Sequence, residues 1–266
     1  MDMTDITARG LVILGCGKMG SAMLEGWIAD GLAPESVTVL DPTPSDFLKS
    51  TGCRLNAALP ERPALVLLAV KPQMMQDALA QVTHYGGGDV PVLTVAAGLP
   101  IRYYERAFGA GTPVIRAMPN TPSAVKRGIT AIVGNEGGSA YLDLAEELLS
   151  AVGQVVRLES ETQMRTVTGI SGSGPAYVFH MVEALTEAGI REGLSEEIAG
   201  QLARATISGA GALLDSSDES AAQLRTNVTS PKGVTEAALR TLMEELPDLM
   251  HRTVKAAIKR DEELSK

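Results

Sequence analysis

The sequence contains few aromatic residues, few cysteines and few histidines. Aromatic side chains make up 3% of the 266 residues, and the chain has 2 cysteines and 3 histidines. The cysteines, Cys16 and Cys53, are too few for a disulfide framework or a cysteine-only zinc site, and the histidines have no metal-ligand spacing. We therefore expect no metal site, and a core of mostly aliphatic side chains with alanine, glycine and methionine between them.

Clusters of positive charge and long apolar runs are also missing. The net charge is −9, and no basic run of the kind that binds phosphate backbones is present, so we expect no nucleic-acid partner. No stretch approaches the roughly 20 apolar residues that span a bilayer. The segment before Leu11 carries Asp2, Asp5 and Arg9 instead of the apolar run of a signal peptide. These features predict a cytoplasmic protein without a membrane partner.

Short β-branched runs alternate with helical patterns in the first 157 residues. Amphipathic stretches such as 19–29 and 74–82 lie between several of the runs. This alternation predicts a Rossmann-like, doubly wound α/β domain with a mostly parallel sheet and crossover helices on its faces. The predicted strands are Leu11–Leu14, Val37–Leu40, Leu65–Val70, Val92–Val95, Val114–Arg116, Ile129–Val133 and Gln154–Leu158.

After Leu158 the pattern changes, and no further strand-like run follows. Ser195 precedes two acidic residues and is the expected N-cap of a helix rich in small residues. Helices are also predicted over Pro175–Ala188, Thr235–Glu245 and Pro247–Leu264. We therefore predict two domains, a Rossmann domain over residues 1–160 and an all-helical domain over residues 161–266.

Three glycines follow the first predicted strand and begin the first predicted helix. In this context the spacing G-x-G-x-x-G is typical of a dinucleotide-binding turn, because its glycines permit a tight turn, close approach to the diphosphate and close helix packing. The helix N-terminus offers N–H groups to the diphosphate. The alternative is a structural turn that binds nothing. The turn consists of Gly15, Cys16, Gly17, Lys18, Met19 and Gly20.

Asp41 ends the second predicted strand, twenty-one residues after Gly20. A carboxylate at this place bonds the ribose hydroxyls and repels a 2′-phosphate, which favours NADH over NADPH. No arginine follows closely, since the next basic residue is Lys49. The alternative is a solvated carboxylate in an Asp-Pro turn.

Three further loops follow predicted strands at the edge where ligands bind in open α/β sheets. The loop Ala69-Val70-Lys71-Pro72 carries a lysine that either contacts the cofactor or is solvated. The loop Ala96-Ala97-Gly98 has little side-chain bulk and leaves room for a nicotinamide. The segment Arg116–Pro122 contains two prolines, which predict a rigid loop, either a binding loop or an inert connection.

Two turns rich in serine and glycine lie in the predicted helical domain. Ser171–Pro175 either caps a helix or lines a substrate site. Asn227–Thr235 combines hydroxyls, proline and glycine before a helix, and such a turn either caps the helix or binds a substrate carboxylate on its amides. No general acid stands out, which favours a protonated imine over a ketone as hydride acceptor.

These segments together resemble pyrroline-5-carboxylate reductase, and the resemblance covers nearly the whole chain. It rests on six motifs in a matching order and spacing. They are Leu-Gly-Cys-Gly-Lys-Met-Gly (14–20), Ala-Val-Lys-Pro (69–72), Ala-Ala-Gly (96–98), Ile-Arg-Ala-Met-Pro-Asn-Thr-Pro (115–122), Ser-Gly-Ser-Gly-Pro-Ala-Tyr (171–177) and Val-Thr-Ser-Pro-Lys-Gly-Val-Thr (228–235).

The resemblance implies hydride transfer from NADPH or NADH to the C=N carbon of 1-pyrroline-5-carboxylate, giving L-proline. It also implies a homodimer through the helical domain, possible further assembly into a decamer, and an active site shared between one subunit's Rossmann domain and its partner's helical domain. Thr235 matches the hydroxyl that bonds the substrate nitrogen. The substrate turn implied by the resemblance contains Ser230, Lys232, Gly233 and Val234, and the further cofactor contacts are Met118, Asn120 and Asn227.

The sequence departs from the family pattern at three positions. Lys232 stands where a glycine is usual, and Val234 where a threonine is usual. Because a glycine there can adopt positive φ, Lys232 predicts either a strained or an altered turn. Asp41 replaces the small polar residue of many relatives that accept NADPH. Two alternatives therefore stay open: a related imine reductase or β-hydroxyacid dehydrogenase with another substrate, and a non-catalytic dinucleotide-binding protein.

Overall fold

The structure, a computed structural model, describes residues 4–264 and divides into two compact units. The sheet unit contains the chain up to Gly172 and again from Ile258 onward, and the helical unit is Ser173–Ala257. The boundary predicted near residue 160 therefore lies earlier than the division of the units. The reason is packing: Met164 is fully buried in the core of the sheet unit, and Arg165 forms an ion pair with Glu262.

Eight strands form one sheet in the order β3-β2-β1-β4-β5-β6-β7-β8. Neighbouring strands are parallel except β6 and β7, which are antiparallel. The first six positions have the strand order of a Rossmann sheet, so the predicted fold class is confirmed. The strands are β1 Leu11–Leu14, β2 Val37–Leu40, β3 Arg54–Leu55, β4 Leu65–Leu68, β5 Val92–Thr94, β6 Val114–Met118, β7 Gly128–Gly134 and β8 Gly153–Arg157.

All seven predicted strands are present; two have the predicted ends, and the ends of the other five are shifted by one or two residues. The sequence pattern missed β3, because a two-residue edge strand is too short to show alternation. The helix predicted over 74–82 is divided into a 3₁₀ turn, Pro72–Met74, and a short α-helix. In the sheet unit the α-helices are α1 Thr4–Arg9, α2 Lys18–Ala29, α3 Asp46–Ser50, α4 Met75–Leu79, α5 Ile101–Phe108, α6 Leu142–Ser150 and α7 Met164–Val167.

Each face of the sheet carries its own apolar core. On one face, α2 and α6 cover β1 and place the fully buried Trp27 among aliphatic side chains. Its indole Nε1 donates to the Leu148 carbonyl at 2.7 Å, which satisfies one of the free carbonyls at the end of α6. On the other face, α5 supplies Tyr104 and Phe108. The central strands are buried on both sides, which explains their continuously apolar sequence.

The helical unit contains α8 Gly174–Arg191, α9 Glu196–Ser216, α10 Ala221–Asn227 and most of α11 Val234–Leu264. Pro175 lies in the first turn of α8, and the Ser195 Oγ accepts from the Ile198 N–H at 3.3 Å, so both predicted helix starts are confirmed.

One helix boundary predicted in this region is wrong, and one segment has additional helical structure. Two helices were predicted on either side of Pro247, but α11 continues through it, because a proline removes one N–H donor without ending a helix that long. The segment Ser171–Pro175 begins a helix as predicted, with Ser173 as the N-cap of α8, but its first two residues end a π-helical segment, Thr168–Gly172, that the sequence did not predict.

Large apolar side chains are exposed along the helices of this unit. No residue of α8 or α10 is buried, and in α9 the buried residues are Ala199 and Ala203. Exposed positions include Phe179, Leu202 and Leu213. So many exposed large apolar side chains in one unit are typical of an interaction surface. Among residues 4–264, no helix has both the length and the apolar character needed to cross a membrane.

The buried indole provides a test of the fold. We expect Trp27→Phe to lower the free energy of unfolding by about 2–3 kcal/mol, because it opens a cavity and leaves the Leu148 carbonyl without its donor. Urea unfolding followed by circular dichroism measures this change. The control is Phe47→Leu at a half-exposed position, where a change below about 0.5 kcal/mol is expected. Equal effects of the two variants would contradict the assigned role of Trp27.

Candidate active site

The glycine turn lies between the end of β1 and the start of α2. Gly15 has φ +77°, and its N–H donates to the Leu40 carbonyl at 2.8 Å. A Cβ at Gly15 would lie 2.6 Å from Val70 Cγ1, and a Cβ at Gly20 would lie 3.1 Å from the Gly15 carbonyl oxygen. Both positions therefore require glycine, the first for a tight turn and the third for close packing of α2 on the sheet.

Gly17 differs from the other two glycines because open space surrounds it. It is the N-cap of α2 without any side-chain cap, and a Cβ there would meet no atom within 4 Å. Lys18 and Met19 form the first turn of the helix, whose N–H groups have no intrahelical partners. An open helix N-terminus of this kind favours an anion such as a diphosphate, and the residues present fit a dinucleotide.

Cys16 fills the interior of the turn. Its Sγ lies 3.6 Å from Ser21 Oγ, and the Ser21 hydroxyl donates to the Cys16 carbonyl at 3.0 Å. Burial raises the pKa of the Cys16 thiol above its usual value. The thiol is therefore neutral near pH 7 and acts as a small packing group, not as a nucleophile.

Asp41 holds the glycine turn from the neighbouring strand. Its Oδ2 accepts from the Cys16 N–H at 2.8 Å, and its Oδ1 accepts from the Thr43 N–H at 2.8 Å. The side chain of Asn56 bonds the backbone of Asp41 on both sides, as acceptor from its N–H at 3.0 Å and as donor to its carbonyl at 2.9 Å. The carboxylate is thus fixed at the end of β2, where the sequence predicted it.

Sequence reasoning missed the part played by Asn56. This residue follows the two-residue strand β3 and has φ +48°, a conformation that asparagine tolerates better than most residues. No local sequence pattern connects it to Asp41, because the pairing depends on the register of β2 with β3.

The loop after β4 lies beside the glycine turn, because β1 and β4 are parallel neighbours in register. The Ala69 N–H donates to the Leu14 carbonyl at 2.8 Å. The Val70 side chain occupies the space that a side chain at Gly15 would need. Lys71 is exposed, and Pro72 begins the 3₁₀ turn that follows. The backbone thus places Lys71 at the sheet edge where a dinucleotide is expected.

The loop after β5 is anchored at its start and open in its middle. The buried Ala96 donates its N–H to Thr94 Oγ1 at 3.3 Å, and the Thr94 hydroxyl donates to the Tyr104 hydroxyl oxygen at 2.8 Å. Burial raises the pKa of Tyr104 to about 12, so its hydroxyl stays protonated. Ala97 is exposed, and Gly98 has φ +80° with open space where a Cβ would point. This loop leaves the room that a nicotinamide ring needs.

Met118 and Asn120 lie at the end of β6 and just beyond it. The Asn120 side chain accepts from the Ile129 N–H at 3.0 Å and donates to the Ser171 carbonyl at 3.2 Å. Its amide therefore ties the loop to β7 and to the π-helical segment. The residues after it form a 3₁₀ helix, Thr121–Val125, where a rigid irregular loop was predicted.

In the helical unit, the predicted substrate turn is a hydrogen-bonded β-turn before α11. The Gly233 N–H donates to the Ser230 carbonyl at 2.9 Å, and Lys232 has φ +59°. Pro231 followed by a residue with positive φ is typical of a type II turn, which favours glycine at the place of Lys232. Lys232 thus adopts the strained conformation that its replacement of glycine predicted. A Cβ at Gly233 would lie 2.9 Å from the Ser230 carbonyl oxygen, so glycine is required there.

Val234 and Thr235 begin α11 with exposed side chains, and Val234 is 89% exposed. Glu236, which the sequence analysis did not single out, accepts from the Lys232 N–H and from Arg240. The Arg240 guanidinium and the Lys232 N–H lower the pKa of the Glu236 carboxyl. Glu236 therefore closes the turn back onto the helix and helps to hold Lys232 in its positive-φ conformation.

Asn227 ends α10, and its side-chain amide is engaged within the helical unit. Its Nδ2 donates to Glu219 Oε2 at 3.0 Å, and its Oδ1 accepts from Gln223 Nε2 at 2.8 Å. The predicted cofactor contact at Asn227 is not tested by these bonds. Within residues 4–264, no cluster of three or more histidine, cysteine, aspartate or glutamate side chains could hold a metal ion.

The contrast between Gly15 and Gly17 gives a prediction for the turn. We expect Gly15→Ala to lower the free energy of unfolding by about 2–4 kcal/mol, because its side chain would meet Val70 at a strained φ. Gly17→Ala is expected to change stability by less than about 0.5 kcal/mol but to weaken dinucleotide binding about tenfold or more, because its methyl group occupies the space open to the diphosphate. Urea unfolding and fluorescence titration with NADPH measure the two effects. Unchanged NADPH binding in folded Gly17→Ala would contradict the assignment of the turn.

Comparisons with known proteins assign separate family models to the N-terminal and C-terminal parts of the chain, and the C-terminal model begins at residue 161, twelve residues before the helical unit. The family model for pyrroline-5-carboxylate reductase dimerisation matches residues 161–264, and the model for NADP oxidoreductase, coenzyme F420-dependent, matches residues 10–98. The pyrroline-5-carboxylate reductase of Pseudomonas aeruginosa is 34% identical over 263 residues, covering 96% of each chain.

Solved structures give the same result over the whole length. A pyrroline-5-carboxylate reductase from Coxiella burnetii has 34% identity and a TM-score of 0.89, covering 97% of this chain and 99% of that one. The Plasmodium falciparum enzyme, solved with NADP bound, has 26% identity and a TM-score of 0.79, covering 97% and 98% of the two chains. On this similarity in sequence and structure along its full length, the chain belongs to the pyrroline-5-carboxylate reductase family.

Proposed function

We propose that this protein reduces 1-pyrroline-5-carboxylate to L-proline with NADPH or NADH. The observation that carries the proposal is the glycine turn, whose open Gly17 and constrained Gly15 and Gly20 fit a dinucleotide, in a chain of this family. NAD(P)H, when bound, supplies the hydride that is added to the C=N carbon of the substrate.

Different residues of the chain would bind the cofactor and the substrate. The first turn of α2 would hold the diphosphate with its N–H groups, while Ala97 and Gly98 leave room for the nicotinamide. In the helical unit, the amides at the start of α11, at Val234 and Thr235, are suited to a substrate carboxylate, and the exposed Thr235 hydroxyl to its ring nitrogen. Because the iminium nitrogen already carries its proton, the reduction needs no strong acid at this place.

Lys232 adds a positive charge beside the proposed carboxylate site. Its side chain is exposed, whereas its N–H is held by Glu236. We propose that the ammonium assists the substrate carboxylate electrostatically and that its strained conformation is tolerated for this reason.

The homo-oligomer that we propose is supported by the exposed apolar faces of the helical unit and by the dimerisation family that matches it. Assembly into a decamer and a cytoplasmic location stay predictions.

The test of this function is direct. The purified protein is mixed with NADPH or NADH and 1-pyrroline-5-carboxylate, and the loss of reduced cofactor is followed by absorbance. Absence of turnover with both cofactors would refute the proposal. Faster turnover of an imine without a carboxylate, or of a hydroxy acid, would favour a related reductase or dehydrogenase. Cofactor binding without reduction of any imine would favour a non-catalytic protein.

Substitution of Thr235 tests substrate recognition separately from cofactor binding. We expect Thr235→Ala to lower kcat/KM about 10- to 100-fold, the effect of losing a hydrogen bond to a charged group, with the Kd for NADPH unchanged. Thr235→Ser keeps the hydroxyl and is the matched control, for which activity near that of the wild type is expected. A weakened NADPH affinity in Thr235→Ala would place this residue at the cofactor instead.

Asp41 determines the cofactor preference in this proposal. Its carboxylate is fixed by Cys16 and Thr43 at the end of β2, where it would meet the adenosine ribose. We expect Asp41→Ser to shift the ratio of kcat/KM values toward NADPH by about tenfold, because a 2′-phosphate no longer meets a negative charge. Steady-state rates with both cofactors measure this ratio. An unchanged ratio would mean that the carboxylate does not face the ribose.

A further inference from the structure

A buried arginine of the sheet unit lies behind the loop that follows β5. Arg116 is on β6, paired in register with Thr94 at the end of β5, and its side chain is 7% exposed. Its Nη1 donates to Glu161 Oε1 at 2.8 Å. Glu161 comes from the segment after β8, remote in sequence from both strands.

The same carboxylate oxygen makes a second bond. Glu161 Oε1 also accepts from the Ile101 N–H at 2.8 Å, and Ile101 is the first residue of α5. One oxygen atom therefore joins the buried arginine of β6 to the start of the helix that follows the loop. Because Ile101 has no side-chain cap before it, Glu161 supplies the acceptor that an N-cap residue would provide.

The loop is thus held at both ends and free between them. At its start the Ala96 N–H bonds to Thr94, and at its end the Ile101 N–H bonds to Glu161. Gly98, with φ +80°, lies between these anchors. Without the second anchor, the position of Gly98 would depend on a flexible segment of small residues.

Glu161 and Gly98 also face the same space. They line one cavity of about 130 Å³ together with Pro100, Arg116 and Asp261. Arg165 also lines this cavity. Its Nε lies 4.0 Å from Asp261 Oδ2, and its Nη1 lies 3.5 Å from Glu262 Oε1. Arg165 therefore ties the segment that carries Glu161 to the end of α11.

We propose that Glu161 is a positioning residue for the hydride-transfer site: through the Ile101 N–H it sets the place of the Ala96–Gly98 loop against the nicotinamide. This inference rests on the proposed function, since it takes this loop as the nicotinamide-side wall. A buried ion pair contributes little net stability compared with apolar residues of similar size. The shared oxygen, which aligns a loop and a helix, gives the pair a geometric role.

Two variants separate this geometric role from the charge on Glu161. Glu161→Gln keeps the length of the side chain and an oxygen for both donors but removes the charge. Glu161→Asp keeps the charge but is one methylene shorter, so it cannot hold Arg116 and Ile101 together. We expect Glu161→Asp to lower kcat about 10- to 100-fold with the Kd for NADPH changed less than about threefold, since a binding group is displaced by about 1 Å. Glu161→Gln is expected to stay within about threefold of wild-type kcat.

The measurements are kcat and KM with 1-pyrroline-5-carboxylate and the Kd for NADPH by fluorescence titration, each per folded site as counted by the binding stoichiometry. The control is Glu146→Ala, which removes a carboxylate from the exposed Arg157 of the same unit and is expected to change neither quantity. The proposal would be overturned if Glu161→Asp kept the wild-type kcat, whether or not Glu161→Gln lost activity. A purely structural role would lower the melting temperature of both variants and leave kcat per folded site unchanged. An inactive wild-type protein would refute the proposed function instead, and the NADPH titrations would show this difference.

Discussion

The tight turn at Gly15 is the constraint on which the arrangement of the sheet unit depends. The chain leaves β1, reverses at positive φ and enters α2 within a few residues, and this path is open because no side chain competes with Val70 for the same space. Everything at this edge of the sheet is positioned relative to that reversal. Asp41 reaches it from β2, and the loop after β4 reaches it from the other side.

A second principle of the structure is that polar side chains hold the small-residue loops through hydrogen bonds to backbone groups. Alanine and glycine give the loops the room that a flat cofactor needs, but these residues cannot fix a loop by packing. Asp41 fixes the glycine turn, Thr94 and Glu161 fix the loop after β5, and Asn120 fixes the segment after β6. In each case, a side chain bonds a backbone group, so that the geometry is set without filling the site.

The sequence predicted the parts of the structure that depend on local patterns. Strands buried on both faces, the glycine spacing and the cap at Ser195 each leave a signature within a few residues. Two kinds of feature could not be predicted. One kind depends on register: Asn56 meets Asp41, and Glu161 meets Ile101, only after distant segments have folded together. The other kind depends on cooperativity within an element, as in α11, where thirty-one residues of helix outweigh one proline. The motifs for the candidate site were therefore visible, while the supporting roles of Asn56 and Glu161 were not.

The scarcity of buried residues in α8, α9 and α10 has a thermodynamic consequence. Apolar side chains that stay in water cannot stabilise a helical unit, so the free energy that holds these helices must come largely from association with another molecule. If that molecule is a second copy of the chain, folding and assembly are one equilibrium. The midpoint of unfolding then rises with protein concentration. The free energy of unfolding of the helical unit can therefore be stated only for a given protein concentration.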